Sequence, residues 1–195
     1  MKRASLLVIP FATLALAACG GTDDKHSGHS MARHSAGASS APATAGHNAQ
    51  DAMFAQMMIP HHQQAIVMAE QAATKASSSQ VKELAAQIER AQGPEIEMMT
   101  GRLRAWGAAM PSHDGMHMGD GMMSDADVKK LDTLSGRQFD RAFLEMMIKH
   151  HQGAVTMART EQAQGSNAEA KAMAGSIVTS QTAEITTMQK LLTTM

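Results

Sequence analysis

The segment "MMIPHHQQAIVMA", residues 57–69, occurs a second time as "MMIKHHQGAVTMA", residues 146–158. Each copy places two methionines, two further residues, two histidines, and then small and apolar residues up to another methionine. The same offset of 89 residues relates Glu95 to Glu184 in the segments that follow. An ungapped match over about fifty residues indicates that the chain contains a duplicated unit.

Apolar residues recur at helical spacing within each repeat. The first stripe steps by four and three residues through Phe54, Met58, His61, Ala65, Met68 and Ala72. A second stripe begins after the serines at 77–79, which supply a turn and an N-cap. Each repeat therefore predicts a helical hairpin. Because one hairpin cannot bury its apolar stripe alone, the two hairpins predict an all-α four-helix bundle.

The predicted bundle covers residues 51–195. It has three parts, which are repeat 1 at about 51–106, a loop rich in methionine and histidine at 107–123, and repeat 2 at about 140–195. Ser124 and the acidic residues after it predict a short extra helix at about 125–135 in the central connection.

The N-terminus has the features of a bacterial lipoprotein signal. Lys2 and Arg3 precede an apolar stretch that is too short to remain as a membrane span. Residues 16–19, Leu-Ala-Ala-Cys, resemble a lipobox, in which the cysteine becomes lipid-modified and begins the mature chain. Residues 1–18 are therefore predicted to be removed. The alternative is an ordinary signal with a chance cysteine, but Cys19 is the only cysteine and has no disulfide partner.

Residues 19–50 are rich in Gly, Ala and Ser and show no hydrophobic period, which predicts a flexible tether between the lipid and the bundle. The tether carries His26, His29, Met31, His34 and His47. We expect a bacterial envelope protein outside the cytoplasm, anchored to the membrane through Cys19. In a host with two membranes the outer one is favoured, because Gly20 and not Asp follows the cysteine.

The composition favours a metal-related role over nucleic-acid binding. The chain has 19 methionines and 10 histidines, but one Trp, four Phe and no Tyr. Loss of Lys2 and Arg3 with the signal leaves 15 basic against 18 acidic residues, a net charge of −3. No basic patch indicates a nucleic-acid partner. Methionine can also serve as flexible core filler, so its abundance alone does not establish a ligand role.

Two histidines and two glutamates are predicted to share one level of the bundle. His61 lies 16 residues before a turn at residue 77, and Glu95 lies 18 residues after it. Both are therefore roughly 24–27 Å from the turn along their helices. The second repeat has the same spacing. The predicted core layer contains His61, Glu95, His150 and Glu184, with Gln92 and Gln181 a turn away. Such groups are costly to bury unless they are paired or bound to metal.

Methionines accompany the histidines at a spacing of one helical turn. Met57 with His61 and Met58 with His62 are i,i+4 neighbours, so both side chains can reach one ion. Thioether sulfur and imidazole nitrogen suit Cu(I), because soft ligands select soft ions. Adjacent histidines point about 100° apart, so His61 is expected inside and His62 toward the adjacent helix or the bundle end. The layer is flanked further by Met68 and Met99, with Met146, Met147, Met157 and Met188 as repeat counterparts.

The central loop is predicted to be a flexible copper collector, although solvated tracts of this kind can also be compositional noise. The collector residues are Met110, His113, Met116, His117, Met118, Met122 and Met123.

The paired HH segments and the stretch "FDRAFLEMMIKHHQGAVTMA" at 139–158 resemble the domain-of-unknown-function 305 family, also called CopM-like, over about residues 48–195. The resemblance implies a ferritin-like four-helix bundle, an extracytoplasmic location, and copper binding linked to copper resistance. By position it implies the metal residues Met57, Met58, His61, His62 and Met68, then Met146, Met147, His150, His151 and Met157.

Two other classes of function remain open. A ferritin-like di-iron oxidase would use Glu-x-x-His motifs, but Met58 and Met147 stand three residues before the histidines. A metal-free envelope interaction module would use Glu–His hydrogen bonds only to fix the packing register. We expect a non-enzymatic copper-binding lipoprotein that serves copper tolerance, storage or handover to a copper-handling partner protein.

Overall fold

The structure is a computed structural model that describes residues 46–111 and 121–195. Every regular element in these ranges is an α-helix, which confirms the predicted all-α bundle with a short helix in its central connection. The helices are α1 (Ala49–Lys75), α2 (Ser79–Ala105), α3 (Asp125–Asp132), α4 (Gly136–Gln164) and α5 (Ala168–Thr194). The signal, Cys19, the tether up to residue 45 and loop residues 112–120 lie outside the described residues.

Polar capping residues set the starts of four of these helices. Asn48 forms a capping box with Asp51 at the start of α1. The side chains of Ser78, Ser124 and Asn167 accept backbone hydrogen bonds at the starts of α2, α3 and α5. The turn between α1 and α2 therefore forms at the predicted serines.

The helices form two hairpins, α1 with α2 and α4 with α5, and the hairpins meet mainly through α1 and α4. The apolar interior falls into two clusters. Core A surrounds Ile88 and Phe143, and core B surrounds Phe54 and Ile177. Along the chain α1 passes from core B into core A, whereas α4 passes from core A into core B. None of the helices in the described ranges combines the length and apolarity that a membrane crossing requires.

An aspartate from each hairpin holds the turn of the other hairpin. Asp51 in α1 accepts hydrogen bonds from the backbone N–H groups of residues 166–167 at 3.1 and 2.9 Å. Asp140 in α4 accepts the equivalent bonds from residues 77–78 at 3.1 and 3.0 Å. In both turns the serine hydroxyl also donates to the aspartate. These reciprocal contacts fix how the two hairpins are aligned.

Glu161 makes one of these two junctions different from the other. Its carboxyl group is buried beside Asp51, where the first repeat has Ala72. Burial, contact with Asp51 and repulsion from its charge raise the pKa of Glu161 from 4.5 to about 7. Burial alone would raise the pKa of Asp51, but its hydrogen bonds hold that pKa well below 3.8. In mildly acidic solution Glu161 therefore carries the proton and Asp51 the negative charge.

Candidate metal centre

A layer of polar side chains separates core A from core B. In α1 the core residues before His61 belong to core B, and those after the histidine pair belong to core A. The other three long helices change from one core to the other at the same level. The layer contains His61, His62, Gln92, Glu95, His150, His151, Gln181 and Glu184. All but the two glutamates are buried, so the polar groups lie inside the bundle.

His61 and His150 meet at the centre of the layer. Their ring centroids are 3.7 Å apart, with the ring planes inclined at 36°. Burial lowers the pKa of His150 well below 6.5, and the neighbouring histidines, His61 first, lower it further. His150 is therefore neutral at neutral pH, and a neutral imidazole keeps a lone pair that can bind a metal ion.

The second histidine of each pair contacts a glutamate on the neighbouring helix. His62 Nε2 lies 2.7 Å from Glu95 Oε2, and His151 Nε2 lies 2.6 Å from Glu184 Oε2. Both imidazoles are fully buried, whereas the glutamate side chains are 17% and 18% exposed. His62 thus reaches the adjacent helix and not the bundle end. The glutamates lie at the expected level, and their partners are the second histidines of the pairs.

These contacts determine which ring nitrogen remains for a ligand. A carboxylate beside Nε2 favours the proton there and leaves Nδ1 as an acceptor. Within the described ranges neither His62 Nδ1 nor His151 Nδ1 has a hydrogen-bond partner, and both atoms are buried. A histidine that donates one ring N–H to a carboxylate and presents the other nitrogen is the usual arrangement of a metal ligand.

Six of the buried and partly buried methionines group into two equivalent triads on opposite sides of the layer. The core B triad is Met58, Met99 and the partly buried Met157, and the core A triad is Met147, Met188 and Met68. Each member of one triad is the repeat counterpart of a member of the other. Met58 precedes His62 by one helical turn, as Met147 precedes His151. The sequence-predicted ligands are therefore divided between two halves and are not gathered at one point.

Two of the predicted methionine ligands lie outside these triads. Met57 is 37% exposed, and Met146 packs, partly buried, at the margin of core A. Both are more exposed than the buried nitrogen atoms of the layer.

The described ends of the central loop contact the bundle. The Gln64 side chain makes two hydrogen bonds, both 2.8 Å, with the backbone of Met123, whose side chain is buried in core A. Met123 is therefore a buried core residue, whereas the sequence predicted it to be part of a flexible collector. Met122 is partly buried and Met110 is exposed. The remaining collector residues, His113, Met116, His117 and Met118, lie outside the described residues.

The layer offers few ligands to a hard metal ion. In residues 46–111 and 121–195 no group of three or more His, Cys, Asp or Glu side chains is arranged to hold a metal. The di-iron sites of ferritin-like bundles instead gather four glutamates and two histidines. Imidazole nitrogen with nearby methionine sulfur is the donor set that this interior provides, and it fits a soft monovalent ion.

Three buried acidic residues of structural importance were not predicted. Asp51 and Asp140 share the offset that pairs the histidines, so the repeat itself carried a signal for them. Glu161 has no acidic counterpart in the first repeat, and no sequence pattern marked it.

The fold and the layer define a class of protein, an all-α bundle of two repeated hairpins around a buried histidine layer. The chain belongs to the family described as Domain of unknown function (DUF305), whose model matches residues 51–192. No curated protein matches the chain.

Solved structures of two DUF305 proteins and of CopM are similar to most of this chain. A DUF305 protein from Streptomyces coelicolor is 37% identical, with a TM-score of 0.69 over 74% of this chain and 92% of its own. A DUF305 fragment from Deinococcus radiodurans is 34% identical, with a TM-score of 0.69 over 76% of this chain and 98% of its own. CopM in its Cu(I)-bound form is 35% identical, with a TM-score of 0.64 over 74% of this chain and 96% of its own. CopM has also been solved in Cu(II)-bound and Ag-bound forms.

Proposed function

We propose that the protein is an extracytoplasmic lipoprotein that binds Cu(I) through methionine and histidine and has no enzymatic activity. The observation that carries the proposal is the buried His62–Glu95 contact and its repeat, His151–Glu184. Each leaves a buried Nδ1 for a ligand one turn from a buried methionine. Similarity to CopM, which has been solved with Cu(I), supports copper as the ion.

The donor chemistry favours Cu(I) over the common alternatives. Zinc would accept the histidines, but it normally draws on cysteine or carboxylate ligands and gains little from thioethers. Iron would require more carboxylates than this layer contains. Cu(I) accepts sulfur and nitrogen ligands at low coordination number. Without a thiolate the affinity should be moderate, which suits a protein that also releases its copper.

The repeat suggests two equivalent binding positions. One would use His62 with the core B triad, and the other His151 with the core A triad. His61 and His150, whose rings are in contact, belong to the same layer. The metal would be cargo, held for copper tolerance, storage or handover to a copper-handling partner protein.

The proposed location rests on the N-terminal sequence. Lipid attachment at Cys19 would anchor the mature chain to the bacterial envelope, with the predicted tether of residues 19–50 leading to the bundle. In a two-membrane host we propose the periplasmic side of the outer membrane.

A Cu(I) competition titration with metal analysis tests the proposal, on the chain from residue 20 onward. Wild-type protein should bind Cu(I), and Met58→Leu with Met147→Leu should lower the stoichiometry and affinity while helicity is retained. Leucine preserves volume and apolarity, so each change should cost less than about 1.5 kcal/mol of stability. Met98→Leu, at a 49% exposed position on α2, is the matched control.

A metal-free interaction module is the second candidate, favoured by the fact that each glutamate already holds the Nε2 of its histidine without a metal ion. Wild-type protein that takes up no Cu(I) would support this candidate and refute the copper proposal. Iron loading followed by an oxidase assay tests the di-iron alternative, for which we expect no activity.

A further inference from the structure

The exposed apolar side chains of this bundle are of an unusual kind. Five large hydrophobic side chains are exposed in the described residues, and four of them are methionines rather than branched or aromatic residues. They are Met53, Met57, Met98 and Met110, at 47%, 37%, 49% and 44% exposure, and the fifth is Val67. An exposed methionine contributes little to the packing of the core, and its thioether is a soft ligand.

Three of these methionines belong to two segments that a hydrogen bond joins. Met53 and Met57 are one helical turn apart in α1, so they share a face of the helix. Gln56, which lies between them in sequence, donates a hydrogen bond of 2.8 Å from Nε2 to the backbone oxygen of Ala109. This bond holds the chain after α2 against the same turn of α1. Met110 is the next residue, so its backbone follows directly on this bond to the turn of α1 that carries Met53 and Met57.

The bundle architecture does not require this group. In the second repeat, Ala142 occupies the position equivalent to Met53, and Glu145 occupies the position equivalent to Gln56. The second repeat therefore lacks the thioether that corresponds to Met53. It also lacks the amide that corresponds to Gln56, which binds the backbone next to Met110. Both repeats nevertheless form the same hairpin.

We propose that Met53, Met57 and Met110 form a solvent-open site for a soft monovalent metal ion, Cu(I) or Ag(I), separate from the buried layer. We call these residues the surface methionine site. Three thioethers bind such an ion without any charged or hard ligand. Its exposure gives rapid exchange, so the site serves as the point where the ion enters or leaves the protein. This role rests on the proposed Cu(I) function, whereas the site itself does not.

Titration with Ag(I) tests the site directly, on the chain from residue 20 onward carrying ¹³C-labelled methionine methyl groups. The methyl resonances of Met53, Met57 and Met110 should shift together in fast exchange. The Met53→Leu, Met57→Leu, Met110→Leu triple variant should bind one Ag(I) fewer than wild type and release its remaining Ag(I) more slowly. Met98→Leu, another exposed position, should leave both quantities unchanged.

The surface site alone would be overturned by two results together. The triple variant would bind as much Ag(I) as wild type, and in wild type the resonances of Met58 and Met147 would shift while those of the surface methionines did not. In the opposite case, Ag(I) or Cu(I) would shift the methyl resonances of the surface methionines but not those of Met58 and Met147. That result would support the surface site and overturn the buried one.

Discussion

Asp51 and Asp140 occupy equivalent positions in the two repeats, and each accepts hydrogen bonds from the turn of the opposite hairpin. Each aspartate stands 11 residues before the second histidine of its own helix, His62 or His151, which is about 16 Å along the helix. The two junctions lie on opposite sides of the histidine layer. They therefore set the relative height of α1 and α4, and with it the contact between His61 and His150.

Loss of one junction should destabilise the bundle. Asp140→Asn removes the charge that accepts bonds from residues 77–78, so we expect a loss of about 1–3 kcal/mol in the free energy of unfolding. Asp51→Asn should act in the same direction through residues 166–167. Urea unfolding followed by circular dichroism measures both. Equal midpoints for Asp140→Asn and wild type would show that the junction contributes nothing to stability.

The buried carboxyl of Glu161 should make stability fall as pH rises. Its pKa is 4.5 in an ordinary environment and about 7 in the folded chain. Between these values the folded chain holds a proton that the unfolded chain has lost, so this group's contribution is present below pH 4.5 and is lost as pH rises through 7. Thermal unfolding from pH 5 to 8 should show Glu161→Gln gaining stability relative to wild type as pH increases. Glu145→Gln, at an exposed position on α4, should show no such trend.

Gly165 packs closely against Glu161. A Cβ atom at residue 165 would overlap Glu161 Oε1 and lie 2.7 Å from both its Cδ and its backbone oxygen, whereas the first repeat places Ala72 and Ala76 at these two positions. Gly165→Ala should therefore cost about 1–3 kcal/mol through overpacking. The double variant Glu161→Ala, Gly165→Ala has the residues of the first repeat and should recover the part of this loss that the Glu161 side chain causes. Chemical denaturation of both variants checks the pair, and equal losses would contradict it.

The helices, the bundle and the level of the layer could be predicted from the sequence, because the 89-residue repeat and the helical period encode them directly. It could not decide between His61 and His62, because the stripe argument assumes that a helix buries one face. α1 is packed against both α2 and α4, and so it buries both histidines. Met123 was misassigned for a similar reason, since only the Gln64 side chain shows that the end of the loop enters core A.

Lipid attachment at Cys19 is a prediction of the N-terminal sequence. Cys19→Ser should abolish incorporation of labelled fatty acid and move the protein from the membrane fraction to the soluble fraction of the host. A substitution of Ser27 in the tether serves as the control and should leave both unchanged. Membrane partitioning of Cys19→Ser equal to that of wild type would refute the lipoprotein assignment.

The glutamates of the layer should control copper affinity without contacting the ion. Glu184→Gln keeps the size of the side chain, but a neutral amide does not hold the His151 tautomer or raise the basicity of its ring as a carboxylate does. Cu(I) affinity should therefore fall about 10–100-fold at one of the two positions, and Glu95→Gln should have the same effect at the other. The double variant should weaken both positions while circular dichroism reports an intact bundle.

Glu145→Gln is the matched control for this series, because it removes an exposed carboxylate of α4 that pairs with Arg141 and not with a histidine. Competition titration with a Cu(I) chelator of known affinity measures each variant against wild type. If Glu184→Gln and Glu95→Gln bind Cu(I) as tightly as Glu145→Gln does, then His62 and His151 are packing residues. The copper ligands must in that case be sought among the methionine triads and the central pair, His61 and His150.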